Sequence, residues 1–316
     1  MLKVSNSAGI WKFEFQLPPI NPEFRFSLGE GSTPLTTEGD LYFKLESQNP
    51  TGSVKDRSLA YQIAAHASLG VRHFVLSSSG NAAISANRYA KLHNIPLSLF
   101  LSTSVNEKKA NLILDHENIH FTSTPLKDSL IFATENAYTH LRQSRDSLAL
   151  PGYSTIAFEL YEELGDKLSD LSIFFPVSSG TTLVGVYQGF QKLVADGQLS
   201  SLPQFFAVQS QAYFPVAEQF LAKSEWPVRI NKSLADALVS PATPRLAEIT
   251  NIIKETNGWS LTVSEEELIN AWGALESFGV DSSAEGALAF AGWLKCKQLG
   301  KMTGAMIIMI TGMRYD

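Results

Sequence analysis

The sequence predicts an α/β protein with two lobes, each a mostly parallel twisted sheet flanked by helices. From about residue 41, segments typical of strands and of helices alternate with turn residues between them, which is the pattern of parallel strands joined by helical crossovers. The chain has 316 residues, 44% of them hydrophobic, and this length favours two lobes over one. We therefore expect a smaller, mobile lobe over residues 41–150, and a larger lobe that combines residues 1–40 with residues 151–316.

The clearest unit runs from residue 41 to residue 76. LYFKLES has the composition of a strand, QNPTGS is a turn, residues 55–69 have helical spacing up to Gly70, and residues 71–76 form a predicted buried strand. The same patterns predict helices near residues 81–94, 106–116, 126–143 and from 182, and strands near residues 95–101, 118–122, 171–177 and 305–310. We expect residues 211–260, with their scattered proline and glycine, to cover part of the functional site or to form an oligomer contact.

Composition excludes several classes of function. The formal net charge is −6, and no run of lysine and arginine forms the basic surface that nucleic acid binding needs. The single cysteine, Cys296, precludes an internal disulfide, fits a reducing compartment and is expected to pack within a helix. The N-terminus lacks the apolar segment of a signal peptide, and no apolar run is long enough to span a membrane. We therefore expect a cytoplasmic protein without nucleic acid or membrane partners.

One motif suggests a metal but lacks the context for it. His116, Glu117 and His120 spell the H-E-x-x-H pattern of zinc proteases, which requires both histidines one turn apart on one helix. Residues 115–118 have the composition of a helix end and turn, and residues 118–122 that of a strand, so the two histidines would not share a helical face. We predict no metal site.

Four polar segments follow predicted strands. They are NPTGSVKDR (49–57), SSSGN (77–81), PVSSGTT (176–182) and ITG (310–312). In open parallel sheets, ligands bind beyond the carboxyl ends of the strands. We therefore expect these four segments to surround one ligand.

Lys55 follows the turn after the first predicted strand and opens a predicted helix. The backbone N–H groups and the dipole of a helix start stabilise a nearby anionic ligand, so an amine there is well placed for imine chemistry with such a ligand. The alternative is a solvated lysine at the start of a surface helix, which this segment alone does not exclude.

Two further segments are typical of anion sites at helix starts. SSSGN offers hydroxyl and main-chain N–H groups that suit a carboxylate, although the same residues would also form a helix cap. PVSSGTT combines a strand end, small hydroxyl residues and a helix start, which is how a phosphate is held without a basic side chain. A sugar-phosphate or nucleotide-phosphate binder would use the same segments without an imine.

Several segments resemble, in the same order, the signature segments of the tryptophan synthase β-like (fold type II) pyridoxal-phosphate enzymes. They are GEGSTPL (29–35), LYFKLESQNPTGSVKDRS, VLSSSGNAAISANRYAKLHNIPLSLFLS, PVSSGTTLVG, SSAEGALAFAG and the terminal ITG. The resemblance spans residues 29–312 and is strongest to threonine synthases. It implies the two-lobed fold of that family, pyridoxal 5′-phosphate as cofactor, and a small amino acid or an O-substituted derivative as substrate. We also expect a homodimer.

The resemblance implies a role for each matching position. Lys55 would hold the cofactor as an imine and act as acid and base at the substrate Cα. The substrate carboxylate would be bound by Ser78, Ser79, Gly80 and Asn81, and the cofactor phosphate by Ser178, Ser179, Gly180, Thr181 and Thr182. Asn81 would also bind the cofactor 3′ oxygen. Thr311 would face the pyridine nitrogen with a neutral hydroxyl, which favours elimination or replacement.

Two positions depart from the family pattern. Thr181 stands where cysteine synthase-like members commonly have glycine, so the loop takes a different path if that position needs a positive φ. Threonine synthases resemble one another in a segment close to R-x-E-G-x-K-T before A-F-E, whose arginine is expected to contact the substrate phosphate. The corresponding residues here are LALPGYSTIAFEL (148–160), without arginine or lysine, and this predicts that phosphohomoserine is a poor substrate.

The sequence therefore predicts a threonine synthase-like lyase of the carbon–oxygen class. Two other reactions stay open, namely dehydration of serine or threonine and β-replacement of the cysteine synthase type. A non-enzymatic alternative is a homologue that has lost catalysis and only binds an amino acid or a phosphate ligand. Lys55 argues against this last alternative, because loss of that lysine is the simplest way to lose the reaction.

Overall fold

The computed structural model describes residues 2–78, 80–103, 111–113, 118–239, 242–300 and 304–315, which form two sheets flanked by helices. The strands are β1 (Leu35–Glu38), β2 (Leu41–Leu45), β3 (Phe74–Ser77), β4 (Leu97–Ser102), β5 (Ile119–Thr122), β6 (Thr139–His140), β7 (Ser172–Pro176), β8 (Gln204–Ser210), β9 (Trp259–Val263) and β10 (Met306–Ile310). The helices are α1 (Lys55–Ser68), α2 (Asn81–Leu92), α3 (Pro125–Glu135), α4 (Pro151–Leu164), α5 (Thr181–Ala195), α6 (Leu246–Glu255), α7 (Glu265–Ser277) and α8 (Ala284–Gln298). The predicted two-lobed α/β class is confirmed.

Both sheets are almost entirely parallel. The larger sheet has the strand order β1-β2-β10-β7-β8-β9, and the smaller sheet has the order β5-β4-β3-β6. The antiparallel pair is β1 with β2, and the other neighbouring strands run parallel. Parallel neighbours need crossover connections, which explains the alternation of strands and helices along the sequence.

One close approach sets the position of helices α1 and α4 relative to each other. Helix α1 is buried on nearly every face, because it packs both in the core of the smaller sheet and against α4. Gly152, in the first turn of α4, leaves no room for a side chain there. A Cβ at Gly152 would lie 1.9 Å from the backbone carbonyl oxygen of Arg57. The first turns of α1 and α4 are therefore held directly against each other.

The predicted elements occur with shifted ends. The strand expected from residue 71 starts at Phe74, and the helix expected over residues 126–143 ends at Glu135. This helix stops early because Ala137 takes a left-handed backbone conformation, with φ 54°, after which the chain forms β6. Cys296 is buried in α8, as predicted.

Some sequence predictions concern residues outside the described ranges. The helix expected near residues 106–116 falls largely there, as do His116 and Glu117 of the H-E-x-x-H pattern. His120 lies in β5, in the predicted strand. Within the described residues, no group of three or more histidine, cysteine, aspartate or glutamate side chains is placed to hold a metal ion. No helix in the described part of the chain is long and apolar enough to cross a membrane.

The border between the two sheets differs from the predicted border at residue 41. Strand β2 lies in the larger sheet, where it pairs in parallel with β10. Conversely, Ile10, Trp11 and Leu17 of the N-terminal segment pack with α1 in the core of the smaller sheet. Local pattern does not show which sheet a buried strand joins, because the inner strands of both sheets are buried on both faces. The predicted mobility of the smaller lobe stays a prediction.

A fully buried arginine, Arg57, ties together several parts of the chain. Its guanidinium donates to Glu46 at 2.7 and 2.8 Å and to both carboxylate oxygens of Glu159 at 2.7 Å. Lys44, also buried, lies 3.0 Å from Glu159 and donates to the carbonyl oxygen of Thr33 at 2.7 Å. We call these five residues the Arg57 network. It joins β2, α1 and α4 to the loop before β1.

Mutual pairing keeps these buried groups charged. Burial lowers the pKa of Arg57, but Glu159 and Glu46 more than offset this effect and raise the pKa above its ordinary value. Burial would raise the pKa of Glu159, but Arg57 and Lys44 hold that pKa at about 2. Arg57 and Glu159 are therefore an ion pair at neutral pH.

The segment GEGSTPL wraps around the Arg57 network. Gly31 has a φ of 92°, and a Cβ there would lie 2.9 Å from Glu159 and 3.2 Å from Arg57. The neighbouring Ser32 N–H donates to Glu159 at 2.6 Å, and the Thr33 hydroxyl donates to Glu46 at 2.6 Å. Glycine at position 31 thus allows the backbone to cross close to the buried guanidinium.

We predict that Arg57→Met lowers the free energy of unfolding by about 3 to 5 kcal/mol, because it leaves the buried carboxylate of Glu46 without its cation and Glu159 with Lys44 alone. Urea denaturation measures this change. Lys192→Met is the matched control, since Lys192 pairs at 3.1 Å with Asp196 on the exposed surface of α5. The control should change the free energy of unfolding by about 0.5 kcal/mol or less. Equal effects in the two variants would contradict the prediction.

Candidate functional site

A cavity of about 800 Å³ opens between the two sheets, at the carboxyl ends of strands from both. The predicted site residues that line it are Lys55, Ser78, Gly80, Asn81, Ser178, Ser179, Gly180, Thr181, Thr182 and Thr311. Ser79 lies outside the described residues. The four polar segments that were predicted to surround one ligand therefore meet at one cavity.

The turn before Lys55 is held by backbone hydrogen bonds to the end of β10. The N–H of Val54 donates to the carbonyl oxygen of Thr311 at 3.0 Å. In return, the N–H of Met313 donates to the carbonyl oxygen of Gly52 at 2.8 Å. Gly52 has a φ of 79°, and a Cβ there would lie 2.3 Å from the Met313 sulfur. Glycine is thus required in the turn by both its conformation and its close contact. The pairing fixes Lys55 beside Thr311.

Asn81 is brought to the same place from the smaller sheet. It is the first residue of α2, directly after the loop that ends β3. A Cβ at Gly312 would lie 3.0 Å from the Asn81 side-chain nitrogen, so the Asn81 amide lies close to the backbone after β10. Within the loop, the N–H of Gly80 donates to the Ser78 hydroxyl at 3.3 Å. The loop therefore presents hydroxyl and amide groups at a helix start.

The loop before α5 has the geometry of an anion site. Gly180 takes a left-handed conformation, with φ 78°, and a Cβ there would lie 2.1 Å from Ile249 of α6. Thr181 is already the first residue of α5, so the positive φ falls on Gly180 and a threonine at position 181 needs no unusual backbone path. The Thr243 hydroxyl donates to the carbonyl oxygen of Ser178 at 3.2 Å and supports the loop from outside.

These features fit a phosphorylated aldehyde cofactor. The start of α5 leaves N–H groups without helical partners, and the hydroxyls of Ser179 and Thr181, 3.0 Å apart, lie at the same end. Lys55 supplies the primary amine that an aldehyde needs to form an imine. The cavity volume lies in the range typical of cofactor and ligand sites. Phosphate and aldehyde would therefore each find a partner of suitable chemistry in one cavity.

Sequence reasoning missed two residues of this site. Tyr153 in α4 is fully buried, and its hydroxyl lies 3.4 Å from Lys55 Nζ. Ser283 caps the start of α8 and lines the cavity, and its N–H donates to the carbonyl oxygen of Gly312 at 2.8 Å. Ser283 lies in SSAEGALAFAG, one of the segments that resemble the family signature, so the sequence could have identified it. No sequence pattern indicated that Tyr153 lies near Lys55, because α4 meets Lys55 only through the tertiary fold.

The mouth of the cavity carries both signs of charge. Arg314, Asp236 and Glu285 line it, and Arg314 is bound to Glu276 at 2.8 Å. The guanidinium of Arg314 also lies 5.0 Å from the ring centroid of Trp272, within cation–π range. Asp236 comes from residues 211–260, for which the sequence left open a place at the functional site or an oligomer contact, and it lines the cavity.

Asp56, next to Lys55, is a buried carboxyl group. It accepts from the N–H of Thr51 at 2.6 Å and also from the Thr51 hydroxyl, so it ties the turn to the first turn of α1. Burial raises the pKa of Asp56 to about 6, although the hydrogen bonds from Thr51 act in the opposite direction. Asp56 therefore gains its negative charge at a higher pH in the folded protein than in the unfolded chain.

The fold and the cavity define a class of protein with two α/β lobes. In this class, a lysine amine and a helix start suited to bind a phosphate line the same cavity between the lobes. The chain belongs to the pyridoxal-phosphate dependent enzyme family, whose model matches residues 26–312. Its cofactor is pyridoxal 5′-phosphate. Curated relatives include threonine synthase from Methanocaldococcus jannaschii, 25% identical over 290 residues that cover 83% of this chain and 69% of the relative. Threonine synthase from Mycobacterium leprae is 24% identical over 300 residues, covering 90% and 81%.

Solved structures share the fold. The processed form of threonine deaminase isoform 2 from Solanum lycopersicum aligns with a TM-score of 0.76 and 16% identity, covering 100% of this chain and 94% of that one. Maize serine racemase aligns with a TM-score of 0.73 and 18% identity, covering 90% and 88%. At these identities the likeness confirms the fold alone.

We predict that Asp56 gives a pH-dependent contribution to stability with an unusual sign. Because its folded pKa is about 6 and its reference value is 3.8, the folded state holds this proton more tightly. Its contribution to the free energy of unfolding is therefore full below about pH 4 and falls as the pH rises through about 6, by up to about 3 kcal/mol. Urea denaturation of wild type and Asp56→Asn across this range measures the difference.

Asp128→Asn is the control for this prediction. Asp128 is exposed, and hydrogen bonds from Thr122 and Thr124 lower its pKa, so its contribution should be lost as the pH falls. From about pH 4 to 6 the Asp56 difference should fall as the pH rises, whereas the Asp128 difference should stay nearly flat there and fall only as the pH drops below about 4. A wild-type and Asp56→Asn difference that stays flat from pH 4 to 7 would mean that Asp56 is not protonated preferentially in the folded state.

Proposed function

We propose that this pyridoxal-phosphate enzyme catalyses elimination or replacement on a small amino acid or its O-substituted derivative, as a threonine synthase-like carbon–oxygen lyase. The observation that carries the proposal is the position of Lys55. Its amine lies in one cavity with the hydroxyl-rich loops at the starts of α2 and α5. Similarity to threonine synthases over most of the chain supports the proposal.

Each loop has a separate task in this proposal. The start of α5 would hold the cofactor phosphate, through Ser178, Ser179, Gly180, Thr181 and Thr182. The start of α2 would hold the substrate carboxylate, through Ser78, Ser79, Gly80 and Asn81, and Asn81 would also bind the cofactor 3′ oxygen. These contacts are independent of Lys55, so they orient the substrate Cα relative to the amine.

Proton transfer falls to Lys55. The bound cofactor supplies an electron-withdrawing ring that stabilises negative charge at the substrate Cα. Lys55 would take the proton from the substrate Cα and return a proton later in the cycle, since its amine lies in the same cavity. Thr311 would present a neutral hydroxyl to the pyridine nitrogen, which favours loss of a substituent over racemisation or amino transfer.

Charge at the cavity mouth supports a small leaving group. Among the described lining residues the cationic side chains are Lys55 and Arg314, and Arg314 already pairs with Glu276. Asp236 and Glu285 line the same mouth. The described lining therefore has as many carboxylates as cationic side chains and offers a dianionic phosphate ester no net positive charge, which disfavours its binding.

Dehydration of serine or threonine is the second candidate, because the same mouth accepts a neutral hydroxyl group. Replacement of the cysteine synthase type needs a similarly small leaving group and differs in the incoming nucleophile. A homologue that only binds an amino acid or a phosphate ligand is opposed by Lys55, whose amine lies in the cavity. The homodimer and the cytoplasmic location stay predictions, and sedimentation velocity measures the first of them.

We predict that Lys55→Ala abolishes turnover, by several orders of magnitude, because the variant loses both imine formation and the acid/base group. The variant should still fold and bind cofactor non-covalently, since the loop before α5 and Asn81 remain. Absorbance spectra, borohydride reduction and peptide mass mapping measure these properties. The control Lys192→Ala removes an exposed lysine of α5 and should leave them unchanged. Turnover near the wild-type rate in Lys55→Ala would refute the role of Lys55.

We predict that serine, threonine or an O-acyl serine is processed with a higher kcat/KM than O-phosphohomoserine. A charge-assisted contact to a phosphate ester contributes roughly 1.5 to 3 kcal/mol, and residues 148–160 contain no arginine or lysine to make it. This loss corresponds to about one to two orders of magnitude in kcat/KM. Steady-state kinetics under the same conditions, which compare kcat/KM for the four substrates, test this prediction.

A variant of the cavity mouth tests the reason behind this preference. Glu285→Gln removes one carboxylate and should raise kcat/KM for O-phosphohomoserine by about twofold to fivefold, with little change for serine. Efficient threonine formation from phosphohomoserine by the wild-type enzyme, with little turnover of the other three substrates, would show that the mouth carries a phosphate site.

A further inference from the structure

We infer that Tyr153 is a positioning residue for the proposed reaction, whose phenol holds the Lys55 amine and directs it within the cavity. This inference rests on the proposed function, in which Lys55 carries the cofactor. The Tyr153 hydroxyl lies 3.4 Å from Lys55 Nζ, and the Tyr153 ring centroid lies 5.8 Å from the same atom. Tyr153 is fully buried, whereas Lys55 lines the cavity, so the phenol lies behind the amine.

Close packing fixes the ring of Tyr153. Its neighbour Gly152 contacts the backbone of Arg57, where a Cβ would lie 1.9 Å from the carbonyl oxygen. On the other side, a Cβ at Gly185 of α5 would lie 2.6 Å from the Tyr153 Cβ and 3.3 Å from the ring atom Cδ2. A tyrosine has two side-chain torsions, whereas the lysine amine ends a chain of four. The phenol is therefore the fixed partner, and the Lys55 amine is the group that it positions.

The hydrogen bond suits an amine that must act at two places. A buried phenol needs a hydrogen-bond partner, and the amine provides one. The phenol oxygen accepts from a protonated amine, and its O–H donates to a neutral amine, so the contact persists in both protonation states of Lys55. A distance of 3.4 Å is long for a hydrogen bond, which leaves the amine able to move between the cofactor aldehyde carbon and the substrate Cα.

Tyr153→Phe tests the inference, because it removes the hydroxyl and keeps the ring. We expect exchange of the substrate Cα proton in D₂O, followed by NMR, to slow about tenfold together with kcat. The dissociation constant for the cofactor and KM should stay within about twofold, because the loops that bind phosphate and carboxylate are unchanged. A loss of rate without a loss of binding is the signature of a misdirected amine.

A second measurement uses the cofactor-free protein. Reductive methylation of Lys55, followed by peptide mass analysis against Lys192 as internal reference, should be about threefold to tenfold faster in Tyr153→Phe, because the amine is no longer held. Tyr61→Phe is the matched control. Tyr61 is a buried tyrosine on α1, the helix of Lys55, and its hydroxyl donates to the Pro18 carbonyl oxygen at 3.0 Å.

The outcomes separate this inference from the proposed function. Slower proton exchange and faster methylation in Tyr153→Phe alone support it. Wild-type values in Tyr153→Phe, or equal changes in Tyr61→Phe, overturn it, since they indicate no role or a general loosening of α1. Borohydride reduction of the wild-type enzyme that attaches the cofactor to a lysine other than Lys55 overturns the proposed function itself.

Discussion

The active-site geometry depends on one short stretch of backbone pairing, between the turn Gly52–Val54 and the segment Thr311–Met313. Two backbone hydrogen bonds of 2.8 and 3.0 Å join a turn near the start of the chain to its last strand. The pairing places Lys55 beside Thr311, and Gly312 then lies against Asn81 of the smaller lobe. Without this pairing, nothing in the local structure would bring the Lys55 amine, the Asn81 amide and the Thr311 hydroxyl together, because they belong to three separate elements.

The first turn of α1 combines chemistry with stability. Lys55 faces the cavity, Asp56 ties the preceding turn to the helix, and Arg57 is the centre of a buried ion network. Two ionisable groups that are costly to bury, Asp56 and Arg57, thus directly follow Lys55 in the first turn of α1. The close contact of Gly152 with the Arg57 carbonyl adds α4 to the same arrangement and brings Tyr153 beneath the amine. Precise placement of Lys55 follows from these constraints.

In the proposed function, one part of the cavity would bind anionic groups and another part would accept the leaving group. Helix starts and hydroxyls line one part of it, and in the proposed function they would bind the anionic groups, where Lys55 is the one lysine or arginine of the described loops. The mouth, in contrast, has two carboxylates and one arginine that is already paired. This arrangement is consistent with the missing arginine of the segment LALPGYSTIAFEL, where Tyr153 now has a contact with the lysine instead.

The sequence by itself determined the features that are encoded locally. Strand–turn–helix units such as NPTGS followed by Lys55, or PVSSGTT, place polar groups at strand ends by their own turn and helix preferences, so the loops of the cavity were predictable. The tertiary structure alone decided the sheet to which β2 belongs, the ion network around Arg57 and the contact between Tyr153 and Lys55. These depend on which remote segments meet, and hydrophobic periodicity carries no information about such meetings.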